Sequence, residues 1–165
     1  MTRRVLRDAA EADLPAILAI HNDAIVNSLA IWQHEPVDLA NRRAWFAERR
    51  AKGYPVMVAD ESMGVAGFAS YGDFRSGAGY GGTVEHSLYL RWDRRGQGLG
   101  RALMDVLIKR ARGQRKHVMV AAIGLPNEAS VALHARCGFV AMGTLREIGR
   151  KSDRWLDLLL MQKML

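Results

Sequence analysis

The stretch that most constrains the fold is a strand followed by a glycine-rich turn and an amphipathic helix, between residues 83 and 112. Residues 83–90 alternate between two faces, as a β-strand does. The turn reads Arg95-Gly96-Gln97-Gly98-Leu99-Gly100, and apolar residues then recur at helical spacing. Glycines let a backbone approach an anion closely, and N–H groups at a helix start can bind phosphate. The segment therefore predicts either a phosphate-binding turn or a tight β–α connection without a ligand.

Two common nucleotide-binding motifs do not fit this turn. A Walker A loop continues with Gly-Lys-Ser/Thr, whereas this chain has Leu99-Gly100-Arg101. A dinucleotide-binding fold carries its glycine motif near the first strand, and this turn lies past the middle of the chain. A phosphate held here would therefore belong to a different kind of cofactor.

The remaining patterns predict the element order β-αα-β-β-β-α-β-α-β-β, which is a mixed sheet flanked by helices. We expect a strand at residues 5–7, helices starting after Asp13 and Asp38, a hairpin of residues 54–59 and 65–71, a strand at 117–123, a helix at 127–137, and a final hairpin of 144–148 and 155–161. A length of 165 residues suits one domain with a single core, so we expect one domain over residues 1–165.

Composition excludes several classes of protein. No apolar run approaches the ~18 residues of a membrane span, and the N-terminus has no apolar stretch of signal-peptide length. With a single cysteine, Cys137, we expect a cytoplasmic protein without disulfides. The net charge of +7 is scattered, and aromatic residues make up only 7%, so we expect no nucleic-acid partner. The five histidines lack ligand spacing, which argues against a metal site.

A second motif follows the predicted strand at residues 117–123. It reads Asn-x-x-Ser-x-x-Leu-His-x-x-x-Gly-Phe from Asn127 to Phe139. Together with the Arg-x-x-Gly-x-Gly turn, it resembles the GNAT superfamily of acetyl-CoA-dependent N-acetyltransferases over nearly the whole chain. Four further segments resemble its phosphinothricin and methionine sulfoximine/methionine sulfone acetyltransferase branch: Asp13-Leu14-Pro15 leading to His21-Asn22, Thr83-Val84-Glu85-His86-Ser87, Ile123-Gly124-Leu125-Pro126-Asn127, and Trp155-Leu156-Asp157-Leu158.

The resemblance implies an α+β fold with a mixed, mostly antiparallel sheet, flanked by helices, whose two central strands splay apart. It also implies a homodimer, to which Trp32 and the final hairpin would contribute. Acetyl-CoA would be the acyl donor. The residues implied in holding it are Leu88, Tyr89 and Leu90 by their backbone groups, Arg95, Gly96, Gln97, Gly98, Leu99, Gly100 and Arg101 at the pyrophosphate, and Asn127 near the reactive end. Asn127 can also be an ordinary helix N-cap, and both roles can coexist.

Glu85 is the candidate general base. An acidic residue inside an apolar strand is uncommon unless it has a function, and a carboxylate can take a proton from the acceptor ammonium, directly or through a water. A structural salt bridge to a buried arginine is the alternative. His134 stands where many superfamily members carry a tyrosine that protonates the leaving thiolate. It can equally be a packed helix histidine.

By the same resemblance, Arg75 would bind the carboxylate of the acceptor, because a guanidinium fork suits that geometry. A solvated loop charge is the alternative. Ser76, Gly77 and Ser87 could hydrogen-bond oxygen atoms of the acceptor. Trp32 either walls the acceptor pocket or packs in the core.

Two histidines are predicted to be mainly structural. His86 lies on the strand face opposite Glu85, although its backbone could border the acceptor. His21 lies on an apolar helix face, where a core histidine with satisfied hydrogen bonds is the favoured interpretation.

Two segments depart from the branch. Leu29 stands where relatives often carry threonine, and Lys151-Ser152-Asp153-Arg154 replaces a more glycine-containing turn. Both departures bear on which acceptor is bound more than on which reaction is catalysed. The sequence therefore predicts an N-acetyltransferase that detoxifies a small amino-acid-like acceptor by direct attack in a ternary complex. A peptide or protein N-terminal acetyltransferase is the alternative within the class, and an acyl-CoA-binding regulator without turnover is the alternative outside it.

Overall fold

The structure, a computed structural model, describes residues 4–165. Its seven-stranded sheet has the order β1-β2-β3-β4-β5-β7-β6. The strands are β1 Val5–Asp8, β2 Val56–Glu61, β3 Gly64–Asp73, β4 Thr83–Leu90, β5 Val118–Gly124, β6 Val140–Lys151 and β7 Arg154–Met164, and the helices are α1 Leu14–Asn27, α2 Leu39–Ala51, α3 Leu99–Gly113 and α4 Glu128–Arg136. The β4–β5 pair is parallel, and the other pairs are antiparallel. The predicted element order and the mixed, mostly antiparallel sheet are confirmed.

Each face of the sheet buries an apolar cluster under its own pair of helices. The α1/α2 face contains Leu14, Ile17, Phe46, Val58 and Phe68. The α3/α4 face contains Val84, Leu103, Met104, Leu107, Met119 and Phe139. Because successive side chains of a strand point to opposite faces, β4 divides its residues between the two. Glu85, Ser87 and Tyr89 lie on the α1/α2 face, whereas Val84, His86, Leu88 and Leu90 lie on the α3/α4 face.

The two central strands splay apart, in agreement with the sequence prediction. β4 pairs with β5 only over Thr83–Glu85, opposite Val118–Val120. Beyond that point β4 continues beside β3 to Leu90, and β5 continues beside β7 to Gly124. Half of the backbone N–H and C=O groups in the free part of β4 therefore point into the wedge without a strand partner.

Helix α2 begins as predicted, because the Asp38 carboxylate accepts a hydrogen bond from the N–H of Asn41 at 2.8 Å. Asp13 precedes α1 as expected, but its carboxylate does not cap that helix. It accepts two hydrogen bonds from Arg7, at 2.7 and 2.8 Å, and one from the N–H of Ala10. The Arg7 guanidinium lowers the pKa of Asp13. This carboxylate therefore fastens β1 to the start of α1.

The final hairpin is longer than its predicted length at both strands. Most of β6 is exposed, including the apolar side chains of Val140, Met142, Leu145 and Ile148. Because an exposed strand shows no alternation of apolar and polar residues, the sequence did not mark where β6 begins and ends. The turn between β6 and β7 uses Ser152 and Asp153 in the left-handed region, with φ of 49° and 58°. This conformation favours glycine, so the backbone does not explain why this chain has serine and aspartate there. Among the described residues, no helix is long and apolar enough to cross a membrane.

Candidate active site

The glycine-rich turn leaves the start of α3 open. Gly96 and Gly98 adopt φ of +71° and +76°, which residues with a Cβ rarely adopt, and no atom outside the turn lies close to either glycine. No side chain caps the helix. Its first-turn N–H groups have no partner within the helix, so they can receive an anion. A Cβ at Gly100 would lie 3.1 Å from Leu133 Cδ2, which shows how closely α3 begins against α4. The turn fits a phosphate group.

The arginines around the turn are held at the surface by carboxylates. Arg95 lies 3.7 Å from Asp23 of α1, and its side chain is 54% exposed. Arg101 pairs with Asp105 at 3.0 Å and is 51% exposed. Exposed ion pairs of this kind contribute little, about 0–1 kcal/mol each. The Arg95 guanidinium can therefore turn towards an anion on the helix start at little cost, whereas Arg101 would also give up the hydrogen bond that its Nη1 donates to the carbonyl oxygen of Arg136 at 3.0 Å.

Glu85 occupies the last paired position of β4 before the wedge opens. Its side chain is half-buried on the α1/α2 face. Within residues 4–165, its carboxylate makes no hydrogen bond or ion pair, so the predicted alternative of a salt bridge to a buried arginine is not formed. Burial raises the pKa of Glu85, and the Arg75 charge opposes that rise. The site therefore presents a partly desolvated carboxylate that is free to accept a proton.

Arg75 lies in the exposed loop between β3 and β4. Its guanidinium sits over the Phe74 ring, 5.3 Å from the ring centroid, and its charge reaches Glu85. Ser76 and Gly77 are exposed in the same loop, and Ser87 is half-buried on the Glu85 face of β4. The structure thus brings this loop to the Glu85 side of the sheet, with Arg75 in solvent.

Trp32 lies against two glycines. A Cβ at Gly149 of β6 would lie 2.1 Å from the Trp32 ring, and one at Gly124 of β5 would lie 2.9 Å from Trp32 Nε1. Trp32 Nε1 also donates to the carbonyl of Leu29 at 2.9 Å. The ring therefore anchors the loop after α1 to the end of β5 and to β6, which explains why both strand positions are glycine.

Lys151 was missed as a functional candidate from the sequence. It is only 6% exposed, and its Nζ donates to the carbonyl oxygens of Ile25, Ser28 (2.8 Å) and Ile31 (2.5 Å). Burial lowers its pKa. The ammonium satisfies carbonyls at the end of α1 and in the following loop, so it holds the Trp32 loop to β6. No local pattern signals this role, because its partners are backbone atoms more than 100 residues away.

His86 and His134 are brought together on the α3/α4 face, which the sequence analysis did not anticipate. Their Nε2 atoms are 2.9 Å apart, and His134 Nδ1 lies 2.6 Å from the carbonyl oxygen of Ser130. The rings stack with centroids 5.0 Å apart, and Phe139 packs edge-on against both. Burial lowers the pKa of each imidazole. The His86 side chain thus points away from the Glu85 side of the sheet.

His21 corrects a prediction. It is buried on the apolar face of α1, as expected. Neither ring nitrogen makes a hydrogen bond within the described residues, although the Gln33 side chain lies nearby. Burial lowers the pKa of His21 to about 4, and the Arg42 charge makes a smaller contribution in the same direction. The neutral imidazole makes a T-shaped contact with the Tyr89 ring, with ring centroids 6.0 Å apart and an interplanar angle of 89°.

Asn127 is the N-cap of α4, since its side chain accepts a hydrogen bond from the Ser130 N–H at 3.2 Å. It also lines a cavity of about 930 Å³ between α4 and the β6–β7 hairpin, together with Ala132, Glu147 and Trp155. The residues that line this cavity include neither Glu85 nor those of the glycine-rich turn. Among the described residues, no group of three or more His, Cys, Asp or Glu side chains could hold a metal ion.

Comparison with known proteins gives consistent results. Residues 15–139 match the model of the acetyltransferase (GNAT) family. The L-methionine sulfoximine/L-methionine sulfone acetyltransferase of Pseudomonas aeruginosa is 57% identical over 95% of this chain and 92% of its own length.

Two solved structures share the fold. The ribosomal-protein-alanine N-acetyltransferase of Brucella melitensis is 50% identical, with a TM-score of 0.96 over 98% of this chain and 99% of that one. The acetyltransferase yncA of Salmonella typhimurium, solved with its cofactor acetyl-CoA, is 45% identical, with a TM-score of 0.96 over 99% of this chain and 94% of that one.

Proposed function

The chain belongs to the acetyltransferase (GNAT) family, and from that premise we propose that it transfers the acetyl group of acetyl-CoA to the α-amine of a small amino-acid acceptor. Methionine sulfoximine, methionine sulfone and phosphinothricin are the acceptor types, and the reaction detoxifies them. The observation that carries the proposal is the Glu85 carboxylate, half-buried and unpaired at the mouth of the wedge. The Pseudomonas aeruginosa relative supports the acceptor class. We propose one catalytic domain over residues 1–165, in the cytoplasm, where the free thiol of Cys137 stays reduced.

The donor would lie in the wedge between β4 and β5. Backbone groups of Leu88, Tyr89 and Leu90 would hold the pantetheine arm, and the uncapped start of α3 would hold the pyrophosphate. Asn127 would border the reactive end beside its role as N-cap. The thioester supplies an already activated acyl group, so positioning and polarisation by a β4 N–H account for much of the rate.

Proton transfer would be divided between the two faces of β4. On the α1/α2 face, Glu85 takes a proton from the acceptor ammonium, directly or through a water, and the free amine attacks the thioester carbonyl. The C–N bond forms, the nitrogen gives up its second proton to become the amide, the C–S bond breaks, and the leaving thiolate takes up one proton. His134, on the α3/α4 face, is the group proposed to return it.

The acceptor would lie on the Glu85 side of the sheet. Arg75 would swing from solvent to hold its α-carboxylate, while Ser76, Gly77 and Ser87 would bond oxygen atoms of the side chain. Trp32, fixed against Gly149, would form one wall of the pocket. Plain methionine lacks the sulfone or sulfoximine oxygens, so it should be a poor acceptor.

A panel of acceptors tests this proposal against its alternatives. We expect kcat/KM to be highest for methionine sulfone, and lower for methionine, methionine amide and a short peptide. Arg75→Met should remove the preference for the free carboxylate, whereas Arg112→Met, an exposed arginine at the end of α3, should keep it.

Each other outcome of the panel points elsewhere. If the peptide matches methionine sulfone, an N-terminal acetyltransferase is the better reading, which the name of the Brucella melitensis neighbour would favour. Binding of acetyl-CoA without turnover of any acceptor would indicate a regulator instead.

We also propose a homodimer. β6 is the outer strand of the sheet, and it exposes Val140, Met142, Leu145 and Ile148, with Trp155 of β7 60% exposed beside them. An edge strand that exposes four large apolar side chains is unusual for a surface that stays in water. A second copy of the chain would cover it.

A further inference from the structure

The contact between His86 and His134 contains one hydrogen atom between two ring nitrogens. Their Nε2 atoms are 2.9 Å apart, a hydrogen-bond distance. A neutral imidazole has one N–H and one lone pair, so one ring must donate in this contact and the other must accept. Which ring donates decides what each can do in proton transfer.

The second nitrogen of His134 identifies the donor. His134 Nδ1 lies 2.6 Å from the carbonyl oxygen of Ser130, and a carbonyl oxygen only accepts. The hydrogen of neutral His134 is therefore on Nδ1, and its Nε2 carries the lone pair. The hydrogen in the ring–ring contact then belongs to His86 Nε2. This leaves His86 Nδ1 bare, and that atom is buried without a partner.

In this arrangement His134 cannot donate a proton to a thiolate, because its Nε2 has none. We propose that His86 is a positioning residue that keeps His134 neutral and occupies its Nε2 until a proton arrives there. Two N–H groups cannot face each other at 2.9 Å, so protonation of His134 Nε2 must open the contact and free that N–H to turn. This inference rests on the proposed function, since the thiolate is the product of that reaction.

The proton balance is simple. The acceptor ammonium loses two protons in all: Glu85 takes the first before the attack, and the nitrogen gives up the second as the C–N bond forms. The second proton, or one exchanged for it from solvent, reaches His134 Nε2. The N–H bond of the imidazolium then breaks as the S–H bond of coenzyme A forms. His134 returns to its neutral form and again accepts from His86. His86 keeps its own proton throughout and acts only through His134.

Few other charges reach the pair. Among the described residues, the one charge that would act on His86 is that of a protonated His134, and the hydrogen bond to the Ser130 carbonyl is the one effect that opposes burial at His134. The titratable groups that neighbouring elements contribute are Tyr71 on β3, whose hydroxyl donates to Gln114, Cys137 at the end of α4, and Arg101 and Asp105, which pair with each other on the outside of α3. No carboxylate within the described residues faces the two rings, so both are neutral at pH 7.

The arrangement of hydrogens can be read directly. Long-range proton–nitrogen NMR spectra of enzyme labelled with 15N-histidine, without substrates, should show the Nδ1–H tautomer for His134 and the Nε2–H tautomer for His86. An Nε2–H tautomer at His134 overturns the proposal. This measurement involves no turnover, so its result stands apart from that of the acceptor panel.

Two substitutions then test the effect on catalysis. His86→Phe keeps the stacked ring but removes the donor that orients His134, so we expect kcat to fall about tenfold, a part of the ~10²–10⁴-fold that a positioned general acid contributes. The KM of the acceptor and the Kd of acetyl-CoA should stay within about twofold, and the pKa of His134 should rise because its neutral form has lost a donor. His86→Gln restores an N–H donor and should recover most of kcat. If His86→Phe keeps the wild-type kcat and His134 pKa, or His86→Gln is as impaired as His86→Phe, His86 is only a packing residue.

Discussion

Glu85 and His86 are consecutive residues, yet they lie on opposite faces of the sheet and in opposite chemical situations. Glu85 is an unpaired carboxylate whose pKa is raised by burial, whereas His86 is an imidazole paired with His134 whose pKa is lowered by burial. Both shifts favour the neutral form, because burial penalises whichever form is charged. The alternation of one strand thus places the proposed base for the amine on one face and the residue that contacts His134, the proposed acid for the thiolate, on the other.

The largest effect is expected from Gly98→Glu on the α3/α4 face. A carboxylate at the start of α3 would repel the pyrophosphate, so acetyl-CoA binding should fall below detection by calorimetry. Gly98→Ala is the matched control. It adds only the strain of a Cβ at φ +76°, about 1–2 kcal/mol, and should weaken binding modestly. Equal affinity of Gly98→Glu and wild type would exclude the phosphate site.

Glu85→Gln tests the opposite face. We expect kcat to fall ~10²-fold, as for loss of a general base, with the Kd of acetyl-CoA unchanged. Near-normal turnover at pH 7 would make Glu85 structural and leave His134 as the next candidate base.

The pH profile sharpens the same test. A base works only when deprotonated, so activity should fall as the pH drops through the pKa of Glu85. Because that pKa is raised by burial, the acidic limb should lie above the ordinary range of a glutamate. In Arg75→Met it should move higher still, since Arg75 lowers this pKa. An acidic limb that ignores Arg75 would show that another group titrates.

A smaller effect is expected at the wall of the acceptor pocket. The methyl group of Gly149→Ala would enter the space of the Trp32 ring, costing about 1–3 kcal/mol of unfolding free energy and raising the acceptor KM. Gly143→Ala, on the same strand with open space around it, should behave as wild type. The double variant Gly149→Ala/Trp32→Phe should recover stability. If Gly149→Ala leaves both the melting temperature and the KM unchanged, Trp32 does not wall the pocket.

The smallest effect on chemistry is expected at the edge of the sheet. Wild-type enzyme should scatter light with twice the 18.3 kDa chain mass at micromolar concentration. Leu145→Glu places a charge on the exposed edge of β6 and should shift the mass to that of one chain. Met63→Glu, at an even more exposed apolar residue in the β2–β3 turn, should not. A wild-type mass of one chain would refute the dimer.

The element order and the bounds of β4 followed from the sequence alone, because alternation along a strand and periodicity along a helix are local consequences of burial. The glycine-rich turn before α3 was also predicted, and Gly96 and Gly98 within it adopt positive φ. The ends of β6 were not predicted, because an exposed edge strand has no burial pattern to mark them.

What only the tertiary structure decided are the contacts between elements far apart in the chain. Three contacts join residues that are 48 to 126 positions apart: the His86–His134 pair, the hydrogen bonds from Lys151 to the end of α1, and the packing of Trp32 against Gly149. Such contacts depend on strand register and helix packing, which no local periodicity records. The sequence by itself therefore determined which residues of β4 share a face, and the packing of α1 and α4 on the sheet decided what each of those residues touches.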